Sequence, residues 1–130
     1  MTNRNVLGGP LESCSLDPVT GWYRDGSCRT DEADRGSHTI CAVMTAEFLE
    51  HQRAIGNDLI TPIPAYRFPG LGPGDRWCVT APNWLRAHAD ERAAPVVLAS
   101  TNAAVLDIVP FEVLARYAVD VPDDPGSIME

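Results

Sequence analysis

The sequence predicts an α+β domain, with a small sheet, short flanking helices and an extended loop-rich N-terminal region. Three observations carry this reading. Residues 1–42 are dense in Gly, Pro, Ser and Asp and show no sustained period. Residues 45–55 and 81–92 have helix-start residues followed by apolar positions at helical spacing. Residues 76–80 and 95–99 are short apolar runs of strand length. At 130 residues, with 45% hydrophobic and 22% charged residues, the chain is long enough for one core. The domain is expected to span residues 1–118. An acidic, flexible tail is expected over 119–130, which holds three Asp, one Glu and two Pro.

In chain order, Asp17-Pro18-Val19-Thr20-Gly21 and Arg24-Asp25-Gly26-Ser27 are turn signals, with Trp22-Tyr23 between them as a short strand. Thr45 is the N-cap of the first helix, Glu47 suits its positive end and Gly56 stops it. Phe48, Leu49 and Ile55 form its buried stripe. Residues 57–75 are a long Pro/Gly loop that Tyr66, Phe68 and Leu71 fasten to the core. In the strand at 76–80, alternation sets Trp77 and Val79 on one face and Arg76, Cys78 and Thr80 on the other. Thr80 and Pro82 open the next helix. Residues 95–99 follow as a buried strand, Thr101 or Asn102 caps a brief helix, and Pro110 starts a last helix running to about Ala118. Val97, Leu98 and Leu114 complete the expected core.

A net charge of −8 gives no basic footprint for nucleic acid or an anionic membrane. No apolar run reaches the roughly 20 residues of a membrane span. The first residues, Met1-Thr2-Asn3-Arg4-Asn5, lack the apolar core of a secretory signal. The expectation is therefore a cytoplasmic protein with reduced thiols, whose partner is a small molecule or another protein.

Side chains suited to chemistry gather around Gly36-Ser37-His38-Thr39-Ile40-Cys41-Ala42-Val43-Met44-Thr45. A nucleophilic thiol needs a neighbouring imidazole or a helix N-terminus to lower its pKa. Cys41 has His38 three residues before it and a helix start just after it, which makes Cys41 and His38 the candidate catalytic pair. Cys14, Cys28 and Cys78 are candidate metal ligands, for a divalent ion such as zinc, if tertiary structure brings them together. The competing reading is that all four cysteines are small buried hydrophobes. Arg24 and Asp25 form a turn suited to a small anion, or to an internal ion pair. Asp75 and Arg76 admit the same two readings. Asp58 is a binding candidate or a backbone cap. Gly70, Gly72 and Gly74 do not form a nucleotide loop, because no strand precedes them and Pro73 lacks an amide donor. His51 reads as a surface pair with Glu47, and His88 as a packing or surface residue one turn after Trp84. These residues leave two classes open: a small-molecule or metal-binding enzyme-like domain, and a non-catalytic interaction or structural module. Whether the protein is an enzyme is not decided by the sequence.

Several longer motifs stand in order. They are Asn5-Val6-Leu7-Gly8-Gly9-Pro10-Leu11, Thr20-Gly21-Trp22-Tyr23-Arg24-Asp25-Gly26, the run from Gly36 to Thr45, Gly56-Asn57-Asp58-Leu59, and Phe68-Pro69-Gly70-Leu71-Gly72-Pro73-Gly74-Asp75-Arg76-Trp77-Cys78. Over residues 5–118 the chain resembles the DUF2237 family of small, mostly bacterial proteins. The resemblance implies a compact α+β domain and carries no established activity. The family pattern often has a second cysteine two residues after the one at Cys78. Here that position is Thr80, so a metal or redox pair between those two positions is not available.

Overall fold

A two-stranded antiparallel sheet organises the computed structural model, which describes residues 3–120. β1 (Ile40–Val43) pairs with β2 (Arg76–Val79), with Ile40 opposite Val79 and Cys41 opposite Cys78. Successive side chains on a strand point to opposite faces, and here both faces are covered. Ile40, Ala42, Trp77 and Val79 enter the main core. Cys41, Cys78 and the half-buried Val43 face a second, smaller cluster with Cys14, Cys28 and Val97. The division of β2 expected from alternation is the one observed.

The segment expected as a strand at 95–99 runs along the other edge of β1. Val43 N–H donates to Pro95 O at 2.8 Å and Val97 N–H to Cys41 O at 2.9 Å. Val96 also bridges to Ala118. The extended run stops after Val97, where Leu98–Ser100 tightens into a 3₁₀ turn. Both carboxylate oxygens of Asp120 accept from this turn, from Leu98 N–H at 2.8 Å and Ala99 N–H at 2.9 Å. Val119 and Asp120, assigned by sequence to the tail, are thus bonded into the fold. The rest of the predicted tail lies outside the described residues.

Helix α1 (Ala46–Ala54) begins as expected: Thr45 Oγ1 accepts from Phe48 N–H at 3.1 Å, and Glu47 lies in the first turn. Its buried residues are Phe48, Leu49 and Gln52. Ile55, expected in the stripe, is only half-buried. Gln52 takes the place one turn after Phe48 because its amide is satisfied there. It donates to Asn83 O at 3.3 Å and accepts from Asn57 Nδ2 at 2.7 Å. His51 pairs with Asp90 across to the next helix at 2.7 Å, not with Glu47.

Helix α2 (Ala81–Ala89) starts with Pro in its first turn and ends earlier than expected, where Glu91 adopts a left-handed φ of 60°. Its anchor is Trp84, fully buried, whose indole N–H donates to Ala94 O at 3.0 Å. His88 stacks on Trp84, and Tyr117 meets both rings edge-on. Asn102 caps the 3₁₀ segment Ala103–Asp107 through Ala104 N–H, and α3 (Phe111–Arg116) buries Leu114. In the long loop Phe68 and Leu71 are buried as expected, while Tyr66 is 71% exposed. Trp22 and Tyr23 form a turn in place of the expected strand, and both are exposed.

Trp84 ties α2 to the end of α3 through the Tyr117 ring and to the segment before Pro95 through its hydrogen bond to Ala94 O. Trp84→Ala should therefore cost about 3–5 kcal/mol, the range for a large core aromatic, and Trp84→Phe should cost less. Equilibrium denaturant unfolding of the two variants against the parent chain measures this.

Candidate functional site

The four cysteines meet on one side of the sheet. Cys14 is joined to Cys41 and Cys28 to Cys78 as disulfides, and no described cysteine is free. All four are at most 4% exposed. The expectation of reduced thiols is corrected here. The strand register already holds Cys41 opposite Cys78, and the N-terminal loop folds back to bring one further sulfur to each. The bridges span 27 and 50 residues of sequence. Cross-links closing loops of that size stabilise a fold by about 3–4 kcal/mol each. They pin a segment that is poor in regular structure and in buried apolar side chains.

The catalytic reading of Cys41 is corrected as well. Residues three apart are neighbours on a helix, but Cys41 lies in β1, where that spacing brings no such contact. Its sulfur is bonded to Cys14, so it offers no thiolate to His38.

His38 has a different partner. Its Nδ1 lies 2.6 Å from Asp34 Oδ1. The Asp34 side chain is fully buried, and its Oδ2 accepts from His38 N–H at 2.8 Å and from Thr30 Oγ1 at 2.9 Å. In the neutral ring with Nδ1–H donating to the carboxylate, the other nitrogen, Nε2, is an acceptor. Nε2 has no protein partner among the described residues. Trp22 stacks on the imidazole with centroids 5.6 Å apart. Asp34 was not singled out by sequence; an acid four residues before the histidine was the only signal, and outside a helix that spacing carries little weight.

Beside His38 is a cavity of about 40 Å³, lined also by Asn57, Leu59, Trp77, Cys78, Val79 and Thr80. It is large enough for one or two waters, or for the polar end of a ligand. Thr80 Oγ1 is buried there with no hydrogen-bond partner, and Thr80 makes no side-chain cap for α2. A buried polar atom left unpaired carries a desolvation cost of about 1–3 kcal/mol. Gly36 is what lets Thr80 and His38 approach: a Cβ on residue 36 would lie 3.0 Å from Thr80 Cγ2 and 3.3 Å from His38 Cε1.

Arg24 reaches Trp77 from another side and lines a separate cavity with Asp17, Pro18, Val19, Tyr66, Arg67 and Pro69. It adopts a left-handed φ of 54°, a strained setting for a side chain of this size. Its guanidinium sits 5.0 Å above the Trp77 ring and donates to Gly21 O at 2.7 Å. Partial burial lowers its pKa from the usual arginine value. The expected Arg24–Asp25 pair does not form. Asp25 instead accepts from Arg29 Nε at 2.7 Å and from Ser27 N–H at 3.0 Å.

The other candidates lie apart. Asp75 accepts from Gly72 N–H at 2.9 Å and closes a loop turn. Arg76 is exposed at the start of β2. Asp58 caps its own loop, accepting from Thr61 Oγ1, Thr61 N–H and Ile60 N–H. Cys14, Cys28 and Cys78, named from sequence as metal ligands, do converge, with their sulfur atoms all within 4.8 Å of one another.

A family model described as an uncharacterized protein conserved in bacteria, DUF2237, matches residues 4–118. The chain belongs to the DUF2237 family. The match takes in both strands, all three helices, the four cysteines and the Asp34–His38 pair. A search of curated proteins finds no match. Among the described residues, no helix is long and apolar enough to cross a membrane.

The hydrogen bonds from Thr61 and Ile60 hold the Asp58 carboxyl below its usual range, with the Thr61 hydroxyl the largest contributor. A carboxylate whose folded pKa is depressed stabilises the fold above its unfolded pKa, and that contribution is lost as pH falls through the folded value. Asp58→Asn should therefore lower the melting temperature at neutral pH, and the difference from the parent should shrink below about pH 4. Melting curves across that pH range check this. Thr80→Val removes an unpaired buried hydroxyl at nearly constant shape, so it should leave the unfolding free energy unchanged or raise it by up to about 2 kcal/mol.

Proposed function

We propose that this domain binds a small carboxylate-bearing molecule at His38 and handles a proton there, with the cysteines as internal braces and not as nucleophiles. The observation that carries this is the Asp34–His38 pair beside a cavity with an unpartnered hydroxyl. A buried carboxylate that fixes one imidazole nitrogen and leaves the other open is the arrangement of an oriented general base. The cavity takes only the polar end of a ligand, where His38 and Asn57 supply the polar groups. The remainder would rest on the exposed Trp22 ring. Arg24, above Trp77, supplies the charge that selects an anion. Leu59 and Val79 keep the inner wall apolar.

A second reading, as an interaction module, is favoured by the exposed apolar side chains of the same loops. Leu16 is 67% and Tyr66 71% exposed, and Val19, Trp22 and Tyr23 are each more than 40% exposed.

Chemical-shift mapping of isotope-labelled protein against a set of small carboxylates, alcohols and amines tests the first reading. Carboxylates should perturb His38, Asn57, Trp77 and Thr80 together. His38→Ala and Arg24→Ala should each weaken binding at least tenfold, and Asp34→Asn, which removes the charge that orients the ring, should weaken it too. Perturbations confined to Leu16, Val19 and Tyr66, or none with any compound, would favour the interaction module.

A further inference from the structure

The two disulfides are not independent braces. The sulfurs of Cys14, Cys28 and Cys78 belong to both bridges, and all lie within 4.8 Å of one another. Cys41 is bonded to Cys14, which sets a fourth sulfur beside this group of three. Apart from Val97 and the half-buried Val43, these four side chains make up the whole cluster. Two cross-links that only tie down a loop have no need to touch. Four sulfurs gathered in one apolar pocket are the donor set of a tetrahedral soft-metal site. A zinc–thiolate tetrahedron, with zinc–sulfur bonds near 2.3 Å, has sulfur–sulfur edges of about 3.8 Å.

The backbone around each cysteine is held by bonds that do not depend on the bridges. Cys41 N–H donates to Thr101 Oγ1 at 3.1 Å and Cys78 N–H to Thr20 Oγ1 at 2.8 Å. Cys28 O accepts from Asn102 Nδ2 at 3.1 Å, and Cys14 N–H donates to Gly26 O at 2.7 Å. Thr20, Thr101 and Asn102 are themselves buried. Two ligands come from facing strands in fixed register and two from the loop clamped over them. These bonds favour the same placement of the four cysteines once the bridges open. Within each former bridge, the sulfurs need only separate by side-chain rotation.

We propose that Cys14, Cys28, Cys41 and Cys78 form a redox-controlled metal site, which is two disulfides when oxidised and a four-thiolate zinc site when reduced. A dithiol supplies the electrons. Each bridge takes up two electrons and two protons as two S–H groups form and the S–S bond breaks, and the dithiol leaves as its own disulfide. Binding of one Zn²⁺ by the four thiols releases four protons to solvent. The site is separate from His38, so the proposal does not rest on the carboxylate-binding reading.

The test uses the full chain without an affinity tag, oxidised or reduced by a phosphine under anaerobic conditions, and titrated with Zn²⁺ and Co²⁺. Native mass spectrometry should show one metal per reduced chain and none on the oxidised chain. The cobalt form should show sulfur-to-cobalt charge transfer and the intense visible bands of tetrahedral coordination. Cys28→Ser with Cys78→Ser, which keeps the other bridge available, should weaken cobalt binding at least 100-fold, while His38→Ala should leave it unchanged. If the reduced chain loses its fold, Zn²⁺ added during refolding should restore it. A reduced chain that binds no cobalt and is not refolded by Zn²⁺ overturns the proposal, as does equal binding by the oxidised chain or by the double variant.

Discussion

The register of β1 against β2 is the constraint on which the rest depends. Both faces of this two-stranded sheet are buried, one in the main core and one in the sulfur cluster. A slip of one residue would send every side chain to the other face. Trp77 and Val79 would then face the cysteine loop, and Cys78 would enter a pocket shaped for aromatic and branched side chains. The register also decides the covalent structure, because Cys41 opposite Cys78 sets the two inner sulfurs to which the loop brings Cys14 and Cys28. A short sheet carries this much only because Val96 and Val97 extend it along the free edge of β1.

What was legible in the sequence follows the range of the interactions involved. Thr45, Glu47 and Gly56 announce α1 through contacts within one turn, and α1 forms where they place it. The two faces of β2 follow from alternation alone. Gln52 was missed because its burial depends on Asn57 and Asn83, which a helical pattern does not contain. Ile55 was assigned to the stripe by period, but the helix ends there and the chain turns away. Trp22 and Tyr23 have strand-forming side chains, yet the flanking turn residues prevail and both rings are left at the surface.

In the region around His38, residues were singled out by sequence but their pairings were not legible there. His38, Arg24 and the four cysteines were all singled out, but the partners inferred from short spacing were wrong in physical terms. His38 bonds to Asp34 and not to Cys41, and Asp25 to Arg29 and not to Arg24. Spacing predicts contact only where the backbone is regular, and these residues lie in turns or at a strand start. Four cysteines also allow three pairings. Only the fold-back of the N-terminal loop selects between them.

Loops of this kind need something other than a backbone ladder to keep their shape. Here the sulfur cluster holds them from the inside, while the outer surface of the same loops carries Trp22, Arg24 and His38. Asp34 completes that surface from within, held by Thr30 and by the backbone of His38 itself. The sulfur cluster and the His38 surface are therefore neighbours in the fold. Cys78 is the point of contact, since it belongs to the cluster and also lines the cavity beside His38. A change of oxidation state at Cys78 would be felt first at the wall facing Thr80 and the imidazole. The His38 side chain and the side chains that hold the loop thus meet across one residue of β2.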